Sequence, residues 1–144
     1  MLGVSQACAG ILVSPAPILL ADTCALLDVV RAPQRHQAEC IAAAKLALRC
    51  AKADPRRCVV VCASVVASEF ADNVQTAADE LVRHLTLMDE HGEHLQIACT
   101  EFGLRSSAFR YRALTLPQML RQLAESLLAV SLTLNPEQGC MERA

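Results

Sequence analysis

A chain of 144 residues is the length of one domain, long enough to bury a core. Its 53% hydrophobic and 19% charged residues exclude a disordered chain, and 3% aromatics leave an aliphatic core of Leu, Val, Ile and Ala. A formal charge of −2 argues against non-specific nucleic-acid binding through bulk charge, while leaving room for a local patch.

Residues 1–14 are small and weakly apolar without a clear period, and no element is assigned to them. They lack the positive first segment of a signal peptide, and Pro15 and Pro17 interrupt the apolar stretch. No uncharged apolar run approaches the ~20 residues of a membrane span, so the expected location is the cytoplasm. Ile18-Leu19-Leu20-Ala21, ending in Asp22, reads as a strand buried on both faces of a parallel sheet. A helix follows from Thr23, capped by Asp22 or Thr23. Pro33 suits the first turn of a second helix, rich in Ala, Leu, Lys, Arg and Gln, that runs to Ala53. Asp54-Pro55 stops it, because the residue before a proline disfavours helical geometry.

Cys58-Val59-Val60-Val61-Cys62-Ala63 is the clearest strand, β-branched and apolar throughout, and Ser64 caps the helix after it. Strand, two helices and strand make a crossover unit with parallel strands. One apolar stripe then runs through Val66, Phe70, Val74, Ala77, Leu81, Leu85, Met88, Gly92, Leu95, Cys99 and Phe102. Its steps of four and three predict one heptad-like helix from Ser64 to about Phe102, with Gly92 as a possible bend. Residues 103–116 read as a connector. A last helix runs from Pro117 through Leu134, and the two pack as an antiparallel hairpin over residues 64–134. Residues 1–144 are read as one domain.

Eight cysteines are scattered through apolar stretches, with no C-x-x-C pair. They read as reduced, mostly buried small hydrophobes, which suits a reducing compartment. Asp22 and Glu69 stand out instead. Each follows an apolar strand, and ligands of open parallel sheets collect outside the carboxyl ends of strands. Alone, Asp22 also reads as a helix cap and Glu69 as a solvated residue near a favourable dipole end. Together at one sheet edge, two carboxylates repel unless they share a proton or a cation, and Mg²⁺ or Mn²⁺ prefers such oxygens.

The run Ile18-Leu19-Leu20-Ala21-Asp22-Thr23-Cys24-Ala25-Leu26-Leu27-Asp28 resembles the opening motif of PIN-domain nucleases. The block from Val59 through Glu69 resembles that family's second strand, serine-capped turn and glutamate-bearing helix. The resemblance covers about residues 17–75. It implies an α/β, PIN-like parallel sheet with flanking helices, here extended by the long helical hairpin and incomplete. It also implies a metal-dependent nuclease, with RNA favoured over DNA as the nucleic-acid partner. Asp22 and Glu69 would be catalytic metal ligands for Mg²⁺ or Mn²⁺, Thr23 would support Asp22, and Asn73 would border the site. Asp28 matches a common family position that is not a ligand.

The family's later acidic residues have no visible counterpart, since nothing after Glu69 reads as the end of another buried strand. The expectation is therefore that the natural protein continues past Ala144, or that this chain is a truncated, inactive relative. Its sheet would have one unpaired edge. Other candidates are weaker. Residues 89–94 carry two histidines and several carboxylates without a zinc motif. Arg105, Arg110, Arg112 and Arg121 could touch phosphates or simply be solvated. Two rival readings stand beside the nuclease. One is a non-enzymatic interaction module binding a partner helix or a second copy through the hairpin; the other is a cysteine-based metal or redox protein.

Overall fold

Among the described residues, four short strands form a parallel sheet in the order β1-β4-β3-β2, where β1 is Leu2–Gly3, β2 Ile18–Leu20, β3 Val59–Ala63 and β4 Leu132–Asn135. The computed structural model describes residues 2–3, 9, 11, 15–104 and 115–135. Helices α1 (Thr23–Arg31), α2 (Ala38–Lys52), α3 (Ser64–Glu101) and α4 (Leu116–Val130) make up most of the rest, so the fold is mixed α/β and mainly helical.

β3 holds the sheet together. Its Val59, Val60, Val61 and Cys62 are all buried, as expected of a β-branched run flanked by strands on both edges. β2 differs from the sequence expectation. It lies at the sheet margin, and Ile18, Leu19 and Leu20 are 55%, 44% and 73% exposed. An apolar run alone cannot distinguish an edge from a centre, because burial depends on what arrives from elsewhere in the chain.

The second helix starts later than Pro33 suggests. Residues 32–36 form turns, and His36 has a positive φ of 57°, which ends any continuous helix there. Ser64 is the first helical residue of α3 rather than its cap, a place taken by Ala63. α3 is one unbroken helix of 38 residues, so the period-based expectation for its length holds. Its end has a local cause. Gly103 adopts φ 65°, its N–H donates to Thr100 C=O, and Leu104 N–H reaches back to Cys99 C=O. That is the 5→2 and 6→1 pattern of a Schellman cap, which needs a left-handed residue that glycine supplies without strain.

Burial follows the predicted stripe only halfway. Val66, Phe70, Val74, Ala77, Leu81 and Leu85 are buried, but Leu95 and Phe102 are 66% and 83% exposed. α4 is the reason. At 1.5 Å per residue its 15 residues reach along less than half of α3. The pairing is antiparallel: Leu120 packs with Leu81 and Leu85, while Leu128 lies by Ala67 and Phe70. The core is a set of helix faces, with Leu26, Val29 and Val30 of α1, Phe70, Val74 and Ala77 of α3, and Ala124 and Leu127 of α4 in one cluster. Each large aliphatic buried there contributes roughly 1.5–3 kcal/mol.

The last helix corrects the sequence reading most. It ends at Val130, not Leu134, and the hairpin with it. Leu132–Asn135 form β4, seated between β1 and β3. Ser131, extended at φ −74° and ψ 146°, makes the break. A further strand after Glu69 therefore exists, contrary to expectation, and it fills the second edge of β3.

Candidate functional site

Parallel pairing of β2 with β3, Leu20 opposite Val61, sends both strands out of the same edge of the sheet. Asp22 follows two residues after β2, and Glu69 lies in the second turn of α3 after β3. Asp22 is the N-cap of α1. Its backbone is extended, and Oδ1 accepts from Ala25 N–H at 2.7 Å, satisfying one of the donors a helix start leaves open. The capping reading of Asp22 is thus realised.

Thr23 does not reach Asp22. Its Oγ1 donates to Oε2 of Glu69, which ties the first turn of α1 to α3 across the sheet edge. Asn73 sits one turn beyond Glu69 and donates from Nδ2 to the Glu69 backbone carbonyl at 2.7 Å, so it braces the helix at that residue. Asp28 pairs with Arg35 in the turn after α1. Asp22 and Glu69 are exposed, and Thr23 is half-buried. Capping uses one oxygen of Asp22 and Thr23 uses one of Glu69, which leaves Oδ2 and Oε1 for a cation. Among the described residues, no group of three or more His, Cys, Asp or Glu gathers as a metal site. A divalent ion held by two carboxylates would stay largely hydrated and not be caged.

The other sequence candidates separate from this edge. Residues 89–94 lie far along α3, mostly exposed. Arg121 is engaged, donating to Glu125 at 2.7 Å and to Gln75 at 2.9 Å. Arg105, Arg110 and Arg112 fall outside the described residues. The six described cysteines are free, but only Cys58 and Cys62 are buried; Cys24 is exposed, against the expectation of buried thiols. Burial, and secondarily the nearby Cys50, pushes the Cys58 thiol above its ordinary range. Asn135, at the carboxyl end of β4, shares the sheet edge and was missed with its strand. The alternation Leu132-Thr133-Leu134 before Asn135-Pro136 was the signal that could have found it.

An α/β sheet with two tethered carboxylate-bearing helix starts is the class that the geometry defines. No family model, curated protein or solved structure matches the chain. Among the described residues, no helix is long and apolar enough to cross a membrane.

Proposed function

We propose that the chain is a PIN-like, metal-dependent phosphodiesterase unit acting on RNA, with Asp22 and Glu69 as its cation ligands. The observation that supports this reading is the Thr23–Glu69 bond, which draws the starts of α1 and α3 together where two parallel strands end. A bound Mg²⁺ or Mn²⁺ would supply Lewis-acid activation of water and charge stabilisation on the scissile phosphate. Asp22 holds its free oxygen in place because its other oxygen is fixed by the cap. Glu69 is oriented by Thr23, and Asn73 braces the turn that carries it. Two carboxylates bind such an ion weakly, so turnover is expected to be slight.

The test is a Mn²⁺ titration of the chain followed by paramagnetic broadening of amide signals. Broadening should centre on residues 22–25 and 65–73 and disappear in both Asp22→Asn and Glu69→Gln. Broadening elsewhere, or none, would remove the site. Labelled single-stranded RNA and DNA with Mn²⁺ then report whether cleavage accompanies binding.

A second reading has its own support. Leu95 and Phe102 on the outer half of α3 are 66% and 83% exposed, the continuation of the apolar stripe that an interaction module would present.

A further inference from the structure

Among the described residues, β2 is hydrogen-bonded to a strand on one side only, with β3. Val59 N–H donates to Pro17 C=O at 2.9 Å, and Ala21 N–H donates to Val61 C=O at 2.8 Å. Peptide groups alternate sides along a strand, so Leu19, between those two, also turns its N–H and C=O toward β3. The N–H and C=O groups of Ile18 and Leu20 therefore face the open edge. All three side chains are substantially exposed, although they project to both faces of the sheet. Neither face of this strand is fully covered.

Beside it lies an apolar cavity of about 300 Å³, lined by Leu19, Leu20, Val29, Ala44, Val60 and Leu127 among others. Among the described lining residues the one charged side chain, Asp28, is held by Arg35. We propose that this edge binds an extended aliphatic peptide segment, which adds a fifth strand along Ile18 and Leu20 and seats a side chain in the cavity. Two outward peptide groups spaced two residues apart, roughly 6.6 Å, match the repeat of an extended backbone and not of a helix. The lining selects an aliphatic side chain, since a buried polar group there would lack partners. A second copy is the poorer occupant. Pairing β2 with β2 about a two-fold axis is antiparallel and covers three side chains, well short of the ~800 Å² per partner of a stable interface.

The test is residue-resolved amide exchange on the whole chain, free and with a synthetic peptide of the β3 sequence, Arg-Cys-Val-Val-Val-Cys-Ala. That peptide is chosen because β2 already pairs with this sequence on its other side. In the free protein, Leu19 and Ala21 amides should be protected and those of Ile18 and Leu20 should exchange quickly. Saturating peptide should slow Ile18 and Leu20 at least tenfold while leaving Leu19 unchanged. Leu20→Pro removes an outward donor and should abolish the effect. Leu20→Lys keeps the backbone, charges the edge, and should abolish it too. Ile18 and Leu20 already protected in dilute free protein would overturn the proposal, as would no response to peptide or an equal response to a Lys-rich control peptide. Protection that grows with protein concentration alone would give the edge to a second copy and overturn the occupant named here. None of these outcomes depends on the carboxylate pair.

Discussion

Leu81 and Leu95 occupy the same stripe of α3, yet substituting alanine at each should have very different costs. Leu81 is 0% exposed and sits in a cluster with Leu85 and Leu120, contributed by two helices that hold the site open after truncation. A buried Leu→Ala change of this kind removes transfer energy and leaves a cavity, about 2–5 kcal/mol. Leu95 is 66% exposed, so only about a third of a side chain's ~1.5–3 kcal/mol is at stake. Alanine's better helix propensity offsets a few tenths of that. The expected net cost is within about 0.5 kcal/mol. Urea unfolding followed by helical circular dichroism measures both, and thermal midpoints should differ by about 2–4 °C per kcal/mol in a domain near this size. Equal costs in dilute protein would mean that the outer half of α3 is buried within the monomer and would refute the reasoning from α4's reach. A Leu95→Ala cost that rises with protein concentration would support self-association through the stripe.

Asp22→Ala should destabilise the fold by about 0.5–2 kcal/mol through loss of the α1 cap, whereas Asp22→Asn, itself a good cap, should stay near wild type in the same unfolding assay. Gly103→Ala should cost about 1–2 kcal/mol, because a Cβ at φ 65° is strained even though it meets no neighbour; fraying of α3 near Thr100 should show in amide exchange. Timed alkylation should label exposed Cys24 well before buried Cys58 and Cys62, a sequence readable by mass spectrometry. The Cys58 pKa is raised in the fold, so its contribution to stability is full below the unfolded thiol range. That contribution should fall as pH climbs above about 8.5 toward its folded value. Cys58→Ser should flatten that alkaline loss in pH-dependent unfolding.

Periodicity carried the long-range outline of this fold, and local chemistry its details. The unbroken 3–4 stepping from Val66 onward was enough to read α3 almost to the residue, and Val59-Val60-Val61 could only be a strand. The approach of Asp22 and Glu69 to one edge followed from two strand–helix junctions in parallel. What stayed hidden depended on partners distant in the chain. Ile18-Leu19-Leu20 is as apolar as β3, but among the described residues no strand lies against its outer side. Leu132-Thr133-Leu134 continues the leucine spacing of α4, so its change of backbone at Ser131 was masked by a shared pattern. Thr23 was assigned to its neighbour Asp22, while its hydroxyl reaches Glu69 on another helix.

β3 and β4 lie side by side, yet residues 64–131 are made between them. At a synthesis rate of 5–20 residues per second, β3 waits several seconds for this neighbour. Throughout that interval its Val-Val-Val run keeps one flank bare, in a crowded setting where other nascent chains offer the same kind of strand. Only when α3 has folded back on α4 does the distance between the two strand sequences collapse, since closing so long a flexible loop carries an entropic cost of several kcal/mol. The protein's hazard is thus a matter of timing: mutations that delay the helical hairpin should lower soluble yield before they lower the stability of the finished molecule.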